Sequence, residues 1–237
     1  MMYVVAYCNL QCGEFAVSKL CCMKVGAKTK KSCKFVGNYV RWYGLKLYLC
    51  ANSLHFIMDT IKLKDLTFKP YISRDEIAQA VKNVAARINK DLADKSPLFL
   101  CVLNGAFVFA ADLFREINIP DAEISFIRMK SYIGTHSTGE VHMISGLHED
   151  ISGRTVVIIE DIVDSGFTLV QLKEKLQECN PADIKVATLL FKPESLKYDV
   201  NIDYVALDIP PAFIVGYGLD YDEMGRNLKD IYTIVQD

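Results

Sequence analysis

The chain has 237 residues, of which 51% are hydrophobic and 24% charged, with a net charge of −2 at pH 7. This composition is typical of a globular protein and excludes a disordered chain, and the near-neutral charge favours neither a nucleic-acid nor an anionic-membrane partner. The sequence has no apolar run of about eighteen residues, so we expect no transmembrane helix.

Residues 1–57 differ from the rest of the chain in charge and cysteine content. They hold eight Lys or Arg residues against one acid, Glu14, and six of the eight cysteines. The cysteines form no C-x-x-C pair and His55 is isolated, which disfavours a zinc site. We expect this segment not to belong to the fold and interpret it as upstream sequence read in frame, with translation starting at Met58. A basic extension and a zinc or partner-binding module are the alternatives.

Residues 58–237 are predicted to form one α/β domain in which strands alternate with helices. Residues 61–68 alternate enough for an edge strand, and the S-x-x-E capping box that begins at Ser73 starts a helix. Residues 98–103 form a continuous apolar run typical of a central strand, and residues 106–117 form the next helix. The side chains expected to face inward from this helix are Phe107, Ala110 or Ala111, and Phe114.

The second half of the domain continues the same pattern. Residues 124–129 form a further strand, and the polar segment 131–140, with two glycines, is a candidate mobile loop. More strands are predicted at residues 184–191, 213–217 and 231–235. Strands that alternate with helices indicate a doubly wound, mainly parallel sheet.

An acidic segment follows a strand of β-branched apolar residues. Val156–Ile159 are four consecutive β-branched residues, as expected for a strand that is buried on both faces. Glu160 and Asp161 come directly after them, Asp164 follows three residues later, and a Ser165–Gly166 turn opens a segment with helical apolar spacing. In open α/β sheets, ligands bind at such a strand-to-helix loop.

Each part of this loop suits one part of a phosphorylated sugar. Hydroxyls and free backbone N–H groups ahead of a helix form a phosphate site, and Gly166 allows the backbone to approach closely. Adjacent carboxylates suit sugar hydroxyls, a divalent cation, or both. Asp164 is placed for proton transfer. The combination predicts a ribose 5-phosphate substrate, and a solvated acidic loop is the alternative.

The segment V-V-I-I-E-D-I-V-D-S-G-F-T, residues 156–168, resembles the phosphoribosyl-diphosphate signature of the type I phosphoribosyltransferases. The chain from about residue 58 onward resembles the hypoxanthine(-guanine) phosphoribosyltransferases in particular. The family fold is a doubly wound sheet with a small hood. Within the motif, Phe167 stands where many members carry Lys, which removes one side-chain contact but leaves the backbone amides available for phosphate.

The resemblance implies roles for the residues of this loop. Glu160 and Asp161 would hold the ribose hydroxyls and contribute to a Mg²⁺ site, and Asp164 would manage the proton at purine N7. The residues implied in binding the 5-phosphate are Ser165, Gly166, Phe167 and Thr168.

The resemblance also implies a pyrophosphate site. The family binds pyrophosphate with a loop that corresponds to Asn104–Gly105, where a cis peptide bond is expected before Asn104, a residue that is Lys in many relatives. Ser131 and Tyr132 open the segment that resembles the family's catalytic lid, which excludes water from a cationic sugar. Arg226 can clamp the diphosphate with its planar guanidinium.

Three residues are implied in binding the purine, and one more in binding the metal. In the family, a Lys at the position of Lys192 donates to the purine 6-oxo group, which selects 6-oxopurines over adenine. Phe213 offers a ring for base stacking, and the backbone at Ile214 can read the edge of the base. Asp220 is an oxygen ligand suited to Mg²⁺.

The resemblance therefore implies a Mg²⁺-dependent glycosyltransferase of purine salvage. It would move the 5-phosphoribosyl group from phosphoribosyl diphosphate to N9 of hypoxanthine, and of guanine, giving IMP or GMP and pyrophosphate. It also implies a cytoplasmic homodimer or homotetramer. Three alternatives stay open: a regulator such as an RNA-binding attenuator, a xanthine transferase and a pyrimidine transferase. The acidic balance of residues 58–237 favours an enzyme over the RNA-binding regulator.

Overall fold

The computed structural model describes residues 34–36, 39–42, 45–48, 60–131, 141–145, 147 and 149–235. The chain divides into two compact units, Met1–Asp59 and Thr60–Asp237. In the first unit, three short strands pair in the order β1-β2-β3 as an antiparallel sheet: Lys34–Val36, Tyr39–Trp42 and Leu45–Tyr48. That residues 1–57 stand outside the fold, and that translation starts at Met58, stay predictions.

The second unit contains the elements that position the candidate site. Its strands are β4 (Ile61–Leu63), β5 (Leu66–Ile72), β6 (Leu98–Leu103), β7 (Glu123–Ser131), β8 (Val141–Ser145), β9 (Thr155–Val163), β10 (Asp183–Phe191), β11 (Tyr204–Asp208), β12 (Ile214–Val215) and β13 (Ile231–Ile234). Its α-helices are α1 (Arg74–Asp91), α2 (Phe107–Arg115) and α3 (Phe167–Gln177), and a 3₁₀ turn spans Pro193–Ser195. The first helix begins as predicted, because Ser73 Oγ accepts a hydrogen bond from the N–H of Glu76.

The main sheet has the strand order β11-β10-β9-β6-β7-β8, in which all pairs are parallel except β7 with β8. Successive residues of the central strands pack on opposite faces. Phe99 and Val157 lie in a cluster with residues of α1 and α2, whereas Leu100 and Ile158 lie in a cluster with residues of α3. Burial on both faces explains the continuous apolar runs. The predicted doubly wound, mainly parallel sheet is confirmed.

A second, antiparallel sheet has the order β12-β13-β5-β4 and is called the hood sheet here. Phe68, Val215 and Tyr232 are the buried centre of its apolar cluster. The predicted edge strand 61–68 is in fact a hairpin, because Lys64 has a left-handed backbone (φ 51°) and turns the chain between β4 and β5. The predicted small hood is confirmed.

The prediction that Phe107 faces inward is wrong. Its side chain is 44% exposed, and it is the first residue of α2. The buried residues of this helix are Phe109, Ala110 and Leu113, so Ala110 faces inward as predicted and the error concerns Phe107. Phe114 does face inward, where its ring meets that of Phe99 edge-on at 5.6 Å. The pattern also gave no indication of β8 and β11.

Two findings bear on the predicted environment of the protein. Within the described part of the chain, no helix is both long and apolar enough to cross a membrane. Cys101 and Cys179 are free thiols; burial, and then the charges of Glu160 and Asp161, raise the pKa of Cys101 to about 12, so this thiol is inert near neutral pH. A cytoplasmic location stays a prediction.

Candidate active site

Residues from three neighbouring strands gather at one edge of the main sheet. Glu160 and Asp161 lie near the carboxyl end of β9, Asn104–Gly105 follow β6, and Lys192 follows β10. β9 lies between β6 and β10 and is parallel to both, so the three carboxyl ends share one edge. Ligands bind at this edge in open α/β sheets. The sequence suggested that the two carboxylates lie in the loop after the strand. In the structure they lie within β9 itself.

Glu160 and Asp161 are a pair of carboxyl groups in an unfavourable environment. Glu160 is 7% exposed, and burial, followed by repulsion from Asp161, raises its pKa well above the usual range. Burial also raises the pKa of Asp161 to about 6, although hydrogen bonds from backbone N–H groups, including that of Ile162, and the charge of Arg226 oppose the shift. Carboxyl groups with such raised pKa values are typical of functional sites.

The raised pKa of Asp161 predicts a pH-dependent change in stability when its charge is removed. An unfolded aspartate titrates at about 3.9, so below about pH 4 the Asp161 carboxyl is neutral in both states and its burial carries no charge penalty. The penalty grows between about pH 4, where the unfolded carboxyl ionises, and about pH 6, where the folded carboxyl ionises, and it is nearly constant above that pH. We expect Asp161→Asn to raise the free energy of unfolding at pH 7 by up to about 3 kcal/mol, and to leave it unchanged near pH 4.

Urea unfolding at several pH values between 4 and 7 measures this difference. Asp94→Asn, which removes an exposed carboxylate, is the control and should not change stability across the same range. A difference between Asp161→Asn and wild type that is the same at pH 4 and pH 7 would contradict the prediction.

The loop between β6 and α2 lies directly against Asp161. The Leu103–Asn104 peptide bond is cis, as predicted. A β-carbon on Gly105 would overlap Oδ2 of Asp161, and a β-carbon on Gly218 would overlap the carbonyl oxygen of Gly105. Glycine at both positions therefore lets the end of β9, the β6–α2 loop and the hood approach one another closely.

Asp164 and Lys192 form an ion pair at the same edge. Nζ of Lys192 donates to Oδ2 of Asp164 at 2.8 Å. The Lys192 side chain is 12% exposed and that of Asp164 is 55% exposed, so the pair reaches from the interior to the surface of the site. The backbone N–H of Lys192 donates to the carbonyl oxygen of Val163 at 3.0 Å, which holds the end of β10 beside β9. The residue predicted for proton transfer and the residue predicted for the 6-oxo group are thus direct neighbours.

The loop that precedes α3 is braced by residues 196–200, which no sequence signal indicated. The carbonyl oxygen of Ser165 accepts hydrogen bonds from the N–H groups of Lys197 and Tyr198, at 3.0 and 3.2 Å. The Phe167 ring, at the position that is Lys in many relatives, lies 5.2 Å from the ring of Tyr198. Phe167 therefore packs against this bracing segment.

Gly166 sets the direction in which the same loop enters α3. Its backbone is left-handed (φ 84°), and no side chain caps the helix, which begins with Phe167 and Thr168. The N–H of Phe167 donates a hydrogen bond to Oγ of Ser165 at 3.4 Å. This is an open helix start with its positive dipole end at the site edge, as an anion site requires.

The predicted base-stacking residue belongs to an aromatic cluster of the hood sheet. Phe213 is 44% exposed, and its ring lies 6.0 Å from that of Phe68 and 5.7 Å from that of Tyr221, which it meets edge-on. Ile214, the next residue, is buried. Phe213 therefore has a supported ring with free surface, which is what stacking against a base requires.

Asp220 and Arg226 form a second ion pair, in the hood. Oδ1 of Asp220 lies 2.9 Å from Nη2 of Arg226, and its Oδ2 accepts a hydrogen bond from the N–H of Glu223 at 2.8 Å. Arg226 also donates to the carbonyl oxygen of Gly218 at 2.9 Å and to the Glu223 carboxylate at 3.0 Å. Glu223 was missed by the sequence analysis, because an acid on an exposed turn carries no distinctive signal.

The carboxylates predicted to bind Mg²⁺ act on one another electrostatically. The charge of Asp220 raises the pKa of Asp161, although burial contributes more, and a cation would relieve this repulsion. Among the described residues, no three His, Cys, Asp or Glu side chains converge closely enough to hold a metal ion. Mg²⁺ is commonly held by one or two carboxylates together with phosphates, and the interacting carboxylates of Asp161 and Asp220 fit that kind of donor set.

The two predicted lid residues remain untested. Ser131 is the last residue of β7 and pairs with Val141 of β8. Tyr132 and the other residues up to 140 lie outside the described residues. Their contact with pyrophosphate stays a prediction.

Comparison with known proteins assigns this chain to a family. Residues 73–222 match the phosphoribosyl transferase domain family. The chain is 42% identical over 170 residues to the hypoxanthine-guanine phosphoribosyltransferase of Streptococcus thermophilus. The aligned residues cover 71% of this chain and 94% of the relative. It is 44% identical over 164 residues to the hypoxanthine-guanine phosphoribosyltransferase of Bacillus subtilis, and this alignment covers 69% of this chain and 91% of the relative.

Two solved structures extend the similarity to the fold. The hypoxanthine-guanine phosphoribosyltransferase of Bacillus anthracis has a TM-score of 0.66 at 40% identity, covering 71% of this chain and 97% of that chain. The hypoxanthine phosphoribosyltransferase of Trypanosoma cruzi has a TM-score of 0.67 at 35% identity, covering 74% and 95%. The chain therefore belongs to the type I phosphoribosyltransferase family, within the group of the hypoxanthine-guanine phosphoribosyltransferases.

Proposed function

We propose that the protein transfers the 5-phosphoribosyl group from phosphoribosyl diphosphate to N9 of hypoxanthine and of guanine, releasing pyrophosphate in purine salvage. The observation that carries the proposal is the Asp164–Lys192 ion pair beside Glu160 and Asp161 at one strand edge. This arrangement supplies a proton acceptor, a donor for a 6-oxo group and acceptors for two sugar hydroxyls. Relatives at about 40% identity are named for the same activity.

Asp164 is the proposed proton acceptor for the purine. The N9 lone pair forms a bond to C1′ of the ribose, the bond from C1′ to the diphosphate oxygen breaks, and the N7 proton moves to the Asp164 carboxylate. Lys192 holds that carboxylate in place through the 2.8 Å hydrogen bond. An ammonium group has three N–H donors, so Lys192 can bind Asp164 and the 6-oxo group at once.

The rest of the substrate is assigned to the surrounding loops. Glu160 and Asp161 accept hydrogen bonds from the ribose hydroxyls. Their raised pKa values support this assignment, because a ligand that donates hydrogen bonds would offset the cost of burying the two carboxylates. The 5-phosphate is bound by the helix start at residues 165–168. The residues assigned to the diphosphate are Asn104, Gly105, Ser131, Tyr132 and Arg226.

The same site fits Mg²⁺. Asp220, Glu160 and Asp161 would hold the ion, and Asp220 and Asp161 already act on one another electrostatically. When bound, Mg²⁺ neutralises the charge that develops on the leaving diphosphate. Arg226 now pairs with Asp220, so it is already positioned next to the proposed ion and the diphosphate.

Lys192→Gln is expected to lower kcat/KM for hypoxanthine about ten- to a hundredfold, because a charged hydrogen bond to the 6-oxo group is worth about 1.5–3 kcal/mol. Since the Gln amide also offers an acceptor to the 6-amino group of adenine, the preference for hypoxanthine over adenine should narrow. Steady-state kinetics with both bases measures this ratio. Lys197→Gln, which removes an exposed charge from the bracing segment, is the control. An unchanged ratio in Lys192→Gln would remove this residue from base selection.

Pyrophosphate release on mixing the protein and Mg²⁺ with phosphoribosyl diphosphate and single free bases tests the proposed function. Hypoxanthine and guanine should support release, while adenine and uracil should not, and xanthine decides the remaining substrate question. Release with none of these bases would contradict the proposal. An RNA-binding regulator would instead bind RNA and release no pyrophosphate.

Assembly into a homodimer or homotetramer, and a location in the cytoplasm, are part of the same proposal. Both are implied by the resemblance to the hypoxanthine(-guanine) phosphoribosyltransferases, and light scattering of the purified chain measures the assembly.

A further inference from the structure

The turn Gly216–Leu219 joins β12 to the segment that carries Asp220, and its backbone conformation is unusual. Three consecutive residues have positive φ: 105° at Gly216, 52° at Tyr217 and 98° at Gly218. Glycine adopts this conformation freely, whereas a bulky residue rarely does. The backbone at Tyr217 must therefore be held by its contacts.

The contacts of Tyr217 connect the turn Gly216–Leu219, called the hood turn here, to α2. The side chain is 7% exposed, and its hydroxyl donates to Oδ2 of Asp112 at 2.5 Å. Its backbone N–H donates to the carbonyl oxygen of Leu228 at 2.9 Å. Burial, and then the hydrogen bond to Asp112, raise the pKa of the Tyr217 hydroxyl above its usual range, so it remains the donor at neutral pH.

The same turn contacts both sides of the proposed diphosphate site. On one side, Gly218 lies so close to the carbonyl oxygen of Gly105 that a β-carbon would overlap it. On the other side, the carbonyl oxygen of Gly218 accepts a hydrogen bond from Arg226 at 2.9 Å. Because α2 follows directly on the Gly105 loop, the attachment of Tyr217 to α2 sets how far Arg226 lies from that loop.

The Tyr217 side chain is a member of the main apolar cluster, and its hydroxyl links that cluster to Asp112. An open cavity of about 600 Å³ runs beside it, lined among others by Phe107, Asp112, Tyr217 and Arg226. Removal of the hydroxyl alone would therefore break the hydrogen bond to Asp112 and leave the apolar contacts of the ring in place.

We infer that Tyr217 is a positioning residue for the diphosphate: its hydrogen bond to Asp112 fixes the hood turn on α2 and thereby the separation between Arg226 and the Asn104–Gly105 loop. Tyr217 acts through these groups and is assigned no contact with the substrate. The inference rests on the proposed function. It predicts an effect on phosphoribosyl diphosphate that is not shared by the purine.

Tyr217→Phe tests the inference, because it removes the hydroxyl and keeps the ring. We expect KM for phosphoribosyl diphosphate to rise about tenfold, with kcat and KM for hypoxanthine within about twofold of wild type. Asp112→Ala should have the same effect, whereas Asp112→Asn, which keeps an acceptor oxygen, should restore near wild-type values. Arg115→Ala removes the exposed partner of Asp112 on the same helix and should change neither KM.

Calorimetric titration with phosphoribosyl diphosphate and Mg²⁺ separates this inference from the proposed function. Binding about tenfold weaker in Tyr217→Phe supports the inference even if the wild type transfers nothing to a base, an outcome that would count against the proposed function alone. Equal affinity in the two proteins would overturn the inference. Equal increases in the KM for phosphoribosyl diphosphate and the KM for hypoxanthine would also overturn the inference, because they would indicate a general loss of structure and not an effect on the diphosphate site.

Discussion

Asp164→Asn is expected to lower kcat by about 10²- to 10⁴-fold while KM for phosphoribosyl diphosphate stays within about twofold. Asn has nearly the shape of Asp, and its Oδ1 can still accept the hydrogen bond that Lys192 makes at 2.8 Å. The loop should therefore keep its geometry. What the amide cannot do is accept the N7 proton, so the loss falls on the chemical step, which single-turnover measurement of IMP formation follows directly.

The control for this substitution is Asp199→Asn. Asp199 is an exposed carboxylate in the segment 196–200, which braces the loop before α3, called the phosphate loop here. The variant removes one negative charge near this loop and leaves the proposed proton acceptor unchanged. Its turnover should match that of wild type. If Asp164→Asn also kept full turnover, the N7 proton would have to leave by another group or by water, and Asp164 would lose its assigned role.

Gly105→Ala is expected to lower kcat/KM for phosphoribosyl diphosphate by about a hundredfold or more. The added methyl group would overlap Oδ2 of Asp161, so either the carboxylate or the β6–α2 loop must move. Both belong to the proposed site, and a displacement of about 1 Å at a site can cost about a hundredfold in rate. Steady-state kinetics with phosphoribosyl diphosphate as the varied substrate measures the loss.

The matched control is Gly153→Ala. Gly153 has a left-handed backbone (φ 70°) with open space where a β-carbon would lie, and it precedes β9, at the opposite end of the strand from the site. The substitution should cost about 1 kcal/mol of stability through backbone strain and leave the kinetics unchanged. Wild-type kcat/KM in Gly105→Ala would show that the site tolerates the displaced carboxylate, against the proposed role of Asp161.

Some features of this protein were predictable because a local pattern encodes them. The buried strand β9 follows from its run of β-branched residues, and the start of α1 follows from the Ser73 capping box. Where the pattern is short, it failed. In α2, which has only nine residues, three of them Phe, more than one apolar stripe fits the sequence, so the pattern does not determine that Phe107 is exposed.

The acidic motif indicated which residue types form the site, but it did not indicate where Glu160 and Asp161 lie in the fold. Glu160 and Asp161 were identified from residue type and order, yet they lie within β9, because strand pairing with β10 continues through them. Pairing depends on the neighbouring strand, and no local pattern reports it. Residues 196–200 were missed for the same reason: they brace the phosphate loop by backbone hydrogen bonds, which any residue except Pro can donate.

By itself, the sequence determined which residue types this protein can use in a reaction and the order in which strands and helices carry them. It did so because side-chain periodicity, capping and turn chemistry act over a few neighbouring residues. The tertiary structure alone decided which of those side chains meet. Lys192 pairs with Asp164 across 28 residues, and Tyr217 bonds to Asp112 across 105 residues. Such contacts depend on how whole elements pack on the sheet, and packing is a property of the assembled fold.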